Sequence, residues 1–296
     1  AWRQALGVVG LACGMAAPPI LYQAVGWGWM GAILAAITLF TMFLSLLGSR
    51  EHPEFAAEEG IGFRRAMAYT FTSRSFLAFG VANFGITLAM GVVQATFAFF
   101  AKYILHVEGV LQSAMLGTAF MVTLPALLVW RRITVRRGAR AALIGTAAAF
   151  SLVSLGFLLV NGLALGFVIC GALGFGLAGL MLLPDVLLAD VVDEDELRSG
   201  RRREGMFFGI NGLFIRAAQA VQGGFVIVPI LNLFRYNSHA AEQLPLTLWG
   251  FRLLMGVMPL LALALTVGSL TLYPLHGRRL EEIKEKIAGK RDPSCL

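Results

Sequence analysis

The chain has 296 residues, of which 58% are hydrophobic and 14% charged, with a mean hydropathy of +0.76 and a formal charge of +7. That balance lies outside the range of soluble globular domains and marks an all-α polytopic membrane protein. In such a protein an excess of Lys and Arg, here with a pI near 9.8, reports the cytoplasmic loops rather than a nucleic-acid surface. Membrane lipid is therefore the partner that composition implies. Cys13, Cys170 and Cys295 have neither a paired nor a metal-ligand spacing, so packing is their expected role.

A hydrocarbon core of about 30 Å needs roughly 20 apolar helical residues. Eight such runs occur, at 4–24, 27–48, 75–104, 110–130, 141–161, 164–184, 206–233 and 247–274. They lack the alternation of barrel strands, so helices are the expected spanning element. Pro18 and Pro19 in the first argue against a signal anchor. In the sixth, GALGFGLAGL at 171–180 places a small residue every three or four positions, the pattern that lets helices approach closely.

Most of the 24 Lys and Arg residues fall at 49–74, 131–140, 198–203 and 276–296, which predicts one basic, cytoplasmic side carrying both termini. The expected compartment is a bacterial inner membrane. Two spans, in 1–48, precede the polar linker at 49–74, and six, in 75–275, follow it before a tail at 276–296. Transporters built from paired six-helix bundles carry such a linker between their halves, so the chain reads as the last two helices of one bundle and a complete second bundle. Its first residue is Ala rather than Met, which fits a piece of a longer protein.

No acidic residue or His falls inside a predicted span. Intramembrane ionisable groups are costly and mark transport paths, so a coupling carboxylate is expected in helices preceding this chain. Among the basic residues that do fall in spans, Arg216 is the one placed near the middle. It lies ten residues into the seventh span, about 15 Å along it at 1.5 Å per residue, with Asn211, Gln219 and Gln222 on the same helix. Together with Gln94 of the third span, Arg216, Asn211 and Gln219 are the candidate substrate cavity. Asn83 is a weaker candidate, because buried amides often only bond neighbouring helices. Arg252, near the outer end of the last span, is expected to snorkel to the interface.

The stretch 185–205, DVLLADVVDEDELRSGRRREG, concentrates both signs of charge in an expected cytoplasmic loop. Asp185, Asp190, Asp193, Asp195, Glu196, Arg198, Arg202 and Glu204, with Arg136 and Arg137 of the basic turn 131–140, form a candidate gate of individually weak pairs. Pro184 is expected to end the preceding helix, and Glu204 to open the next, where a carboxylate suits the helix dipole. A solvated topological loop is the plainer reading. An Asp-rich magnesium site would require a second acidic motif, as in a membrane prenyltransferase, and the loop at 131–140 is wholly basic.

This stretch resembles the loop between the tenth and eleventh helices of the glycoside-pentoside-hexuronide:cation symporters of the major facilitator superfamily. The correspondence is carried by Pro184-Asp185, by Asp193 to Glu196, by Gly200 to Gly205 and by Phe207-Phe208. ITVRRGARAALIG at 133–145 and WRQALGVVG at 2–10 are similar to the family's basic turn after its eighth helix and the opening of its fifth. The resemblance implies helices five to twelve of twelve, and a symporter of a sugar or related solute coupled to Na⁺ or H⁺, with no cofactor and no enzyme chemistry. The family's acidic cation and sugar residues lie in helices outside this chain. Melibiose-type members carry a Lys twelve residues after the motif's Glu, and that offset from Glu204 lands on Arg216, whose charge is permanent. The expected alternatives are a lipid or drug carrier of the same superfamily, or an eight-helix scaffold.

Overall fold

The computed structural model describes residues 2–48, 71–200, 203–240 and 242–291. Their regular structure is helical: α1 (Trp2–Gly48), α2 (Arg74–Tyr103), α3 (Val110–Arg137), α4 (Ala139–Leu155), α5 (Leu163–Ser199), α6 (Glu204–Val221), α7 (Val228–Leu233), α8 (Pro245–Thr271) and α9 (Arg278–Arg291). Seven runs among these residues are long and apolar enough to cross a membrane. The first has length for two crossings and is interrupted at Gly26 (φ 78°, ψ 175°), beside the interfacial rings of Tyr22, Trp27 and Trp29. The eight expected passes are thereby accommodated.

Two boundaries differ from expectation. α5 does not end at Pro184 but continues to Ser199, where Gly200 caps it in the left-handed region (φ 72°). Its 37 residues span about 55 Å, well beyond the ~30 Å hydrocarbon layer, so its last turns stand in water as a polar helix. Helix interiors within bundles tolerate Pro, and Leu, Glu and Arg favour helix in the extension. Likewise α3 runs through Arg137, leaving Gly138 (φ 82°) as the turn into α4. The charged stretches at 185–199 and 131–137 are helix ends, not loops.

Packing follows the small residues. In α5, a methyl group at Gly174 would meet the Ala119 backbone of α3, and at Gly176 or Gly179 it would meet Phe150 or Thr146 of α4. At these close approaches Thr123 Oγ1 donates to Gly174 O (3.0 Å) and Trp130 Nε1 to Phe175 O (2.7 Å). α8 lies against α2 in the same way, with Thr266 Oγ1 donating to Ala82 O (3.0 Å) and Ser269 Oγ to Ala78 O (2.7 Å). Such bonds satisfy hydroxyls that lipid cannot solvate. Arg252 donates to Leu158 O (2.7 Å) and Asn161 Oδ1 (2.8 Å), tying α8 to the turn before α5. Cys170 is buried in the core and Cys13 is exposed; Cys295 lies outside the described residues. In the Phe run at 97–100, Phe97 and Phe100 are buried and Phe99 stacks on Phe251.

Candidate functional site: a polar cleft beside α6

A cleft of about 450 Å³ opens between α2 and α6, lined by Thr87, Gly91, Gln94, Gln219 and Gln222 with Met90 and Ala95. Two contacts set the polarity of its amides. Arg216 Nη1 donates to Gln219 Oε1 (2.8 Å), which leaves the Gln219 NH₂ to face a ligand. Gln222 Nε2 donates to Gly91 O (2.8 Å), so its carbonyl oxygen remains available as an acceptor. A methyl group at Gly91 would collide with the Gln222 carboxamide, so this pairing needs glycine there. The cleft thus presents a donor and an acceptor on neighbouring turns.

Gln222 also begins a π-helical turn, Gln222–Ile227, in which Val228 N donates five residues back to Gly223 O. The cause lies just beyond it: the ring of Pro229 would clash with the carbonyl four residues earlier, and the wider turn relieves that conflict. The turn sits at the rim of the cleft.

Beneath the cleft, and sharing Met90 and Gln94 with it, is a smaller cavity of about 60 Å³ walled by apolar side chains including Phe97, Met115, Phe120 and Leu173. Polar and apolar compartments therefore adjoin at Gln94. Of the predicted cavity residues, Gln94 and Gln219 line the cleft, while Arg216 reaches it through Gln219. Asn211 is placed elsewhere. It is buried and accepts from Asn83 Nδ2 (2.8 Å), an amide pair bridging α6 and α2. Gln222 and Gly91 were outside the predicted set. Gln222, three residues beyond Gln219, carried a legible helical signal, whereas nothing in the sequence marks Gly91.

At the basic end, the acidic turns of α5 meet α9. Lys284 Nζ lies 3.0 Å from Asp190 Oδ1 and Arg279 Nη2 lies 2.7 Å from Glu194 Oε1. Ile287 is buried and Ile283 packs on the core, so α9 is a docked amphipathic helix rather than a plain tail. Tyr273, just before α9, is buried and donates to Leu187 O (3.2 Å). Burial foremost, then the nearby carboxylates of Asp190 and Glu194, hold its hydroxyl well above its ordinary range, so it remains a donor. Asp195 and Arg198 line a small cleft of about 90 Å³ with Thr72 and Ser73. Asp185, Asp193, Asp195, Glu196 and Glu204 all have polar or electrostatic partners, and Glu204 stands in the first turn of α6. Arg202 lies outside the described residues. Among the described residues, the partners of Asp190 and Glu194 come from α9, not from Arg136 or Arg137.

The profile of one protein family, described as MFS/sugar transport protein, matches residues 1–277. The chain belongs to this family. Its curated relatives in the family's wider circle differ in cargo. The mouse sodium-dependent lysophosphatidylcholine symporter 1 is 25% identical over 269 residues, 88% of this chain and 49% of that protein. The sphingosine-1-phosphate transporter MFSD2B of Xenopus tropicalis is 22% identical over 248 residues, 82% of this chain and 48% of that one. The putative glycoside/cation symporter YagG of Escherichia coli is 31% identical over 106 residues, 36% of this chain and 23% of that protein. The chain spans about half the length of the lysolipid carriers it matches.

Proposed function

We propose that the chain is part of a cation-coupled secondary transporter that moves an amphiphilic solute by alternating access, with the cleft between α2 and α6 receiving its polar group. The observation that carries this reading is the junction at Gln94, where a cleft of polar amides adjoins a cavity walled by Phe, Met and Leu. An amphiphile needs both compartments in contact, whereas a free sugar gains nothing from the second. Arg216, tied to Gln219, supplies a permanent positive charge behind the cleft and suits an anionic or zwitterionic head. The lysolipid and sphingosine-phosphate carriers among the relatives support the same class. The docking of α9 on α5 acts as a cytoplasmic closure in this reading, its two ion pairs, each with a half-exposed cation, weak enough to part during a transport cycle.

A sugar carrier of the melibiose type is the second reading, favoured by the carboxamides of Gln94, Gln219 and Gln222, which match hydroxyl groups, and by the partial similarity to YagG. Uptake by the intact carrier in liposomes under an inwardly directed sodium gradient separates the two, with lysophosphatidylcholine and methyl β-glucoside as probes. Sodium-dependent accumulation of the lysolipid, lost in Arg216→Ala, is the expected result. Accumulation of the glucoside alone overturns the amphiphile in favour of the sugar.

A further inference from the structure

The arginines that end α3 have no role in the reading above. Arg131, Arg132 and Arg136 lie on one helical face with Leu128 and Val135, at the i, i+3, i+4, i+7 and i+8 spacing, and this face walls a groove of about 320 Å³. All five side chains are exposed, Leu128 by 58% and Val135 by 81%. Several other described cations are engaged: Lys102 with Glu108, Arg279 with Glu194, Lys284 with Asp190, and Arg140 with the carbonyls of Leu270 and Thr271 at the end of α8. No described carboxylate pairs with Arg131, Arg132 or Arg136.

Depth narrows what can neutralise them. Arg131 is 21 residues beyond Val110, about 32 Å along α3, and Arg136 about 39 Å. With Val110 at one edge of a ~30 Å hydrocarbon layer, the groove begins where acyl chains give way to headgroups at the other. The scaffold is held in place, since Trp130 is buried and bonded to Phe175 O and Thr134 Oγ1 donates to Trp130 O (2.7 Å).

We propose that this groove of α3 is a binding site for the phosphate headgroup of an anionic phospholipid. Guanidinium groups offer forked donors to phosphate oxygens, and three fixed cations within two turns repel one another until an anion arrives. Basic pockets at this depth of a membrane protein attract acidic lipid heads. Leu128, about 27 Å along α3 and within the hydrocarbon layer, makes the occupant a lipid rather than a soluble anion, because an exposed apolar side chain directly below the arginines is covered by the acyl chain of the same molecule.

The test uses the intact carrier purified in a neutral detergent. Thermal midpoints are recorded on titration with phosphatidylglycerol, phosphatidylcholine or inorganic phosphate, for the wild type, the triple variant Arg131→Gln/Arg132→Gln/Arg136→Gln and the control Arg235→Gln. Phosphatidylglycerol should raise the wild-type and control midpoints saturably, with half-saturation in the triple variant weaker by about tenfold or more. Equal shifts from phosphatidylcholine, or an unchanged response of the triple variant, overturn the site. An equal shift from inorganic phosphate overturns the lipid assignment. Should the triple variant not fold, native mass spectrometry of the wild type in an equimolar mixture of the two lipids decides, a selective phosphatidylglycerol adduct being required and its absence fatal.

Discussion

Lys284 of α9 holds its ammonium 3.0 Å from the carboxylate of Asp190, a residue of α5 that keeps only 5% of its side-chain surface exposed. Fourteen residues of amphipathic helix at the end of the chain thus supply the counter-charge for a carboxylate buried at the foot of the sixth apolar run. Lys284→Ala should lower stability by about 1–2 kcal/mol, less than for a fully buried pair because the Lys itself is half exposed. Asp190→Asn should partly restore it in the double variant. Thermal midpoints of the purified protein supply the cycle, and additive losses would show that the two groups do not interact.

Tyr273 predicts a dependence on alkaline pH. Its hydroxyl titrates in the fold well above its ordinary value of 10.0, because burial foremost and the neighbouring carboxylates disfavour the phenolate. The unfolded chain therefore releases this proton first, and the stability the group contributes is complete below pH 10 and declines as pH rises above it. Tyr273→Phe removes the bond to Leu187 O at a cost of about 1 kcal/mol near neutrality and should flatten this decline. Unfolding midpoints between pH 7 and pH 11 would reveal the difference; parallel curves for the two proteins would refute it.

Two glycines three residues apart in α5 should respond oppositely to alanine. At Gly174 a methyl meets the Ala119 carbonyl of α3, a backbone atom that cannot yield, and a loss of about 1–3 kcal/mol is expected. At Gly171 the nearest atom is Val122 Cγ2 at 3.9 Å, so the better helix propensity of Ala should leave stability unchanged or slightly improved. Urea or heat denaturation of the two variants ranks them, and a Gly174→Ala protein as stable as its Gly171→Ala counterpart would be falsifying.

The amides of Asn83 and Asn211 join α2 to α6 away from the cleft. Asn211→Ala should cost about 0.6–1.7 kcal/mol while leaving substrate affinity in the intact carrier unchanged. A fall in affinity at unaltered thermal stability would move Asn211 into the binding site.

Arg216 and Gln219 are joined by a 2.8 Å hydrogen bond. Arg216→Ala and Gln219→Leu should each reduce uptake by roughly tenfold or more, and the double variant should be little worse than either, as expected of coupled neighbours. Multiplicative losses in transport assays would assign them separate roles.

The spans were legible because a membrane imposes a length and an apolarity that composition alone reveals: the runs at 75–104 and 110–130 begin within a residue of α2 and α3. The small residues of α5 announced close packing, and Arg216 stood out because a charge within an apolar run is costly. The 185–199 stretch was misread as a loop, since hydropathy reports where the hydrocarbon layer stops and says nothing of where the helix stops. Which side chains meet was decided by the fold alone. Gln222 reaches Gly91 across 131 positions, Lys284 reaches Asp190 across 94, and Asn211 turns to Asn83 rather than to the cleft. A helical period states which face a residue occupies, but its neighbour across the interface depends on the depth and rotation at which packed helices settle, and close contacts between backbones set both.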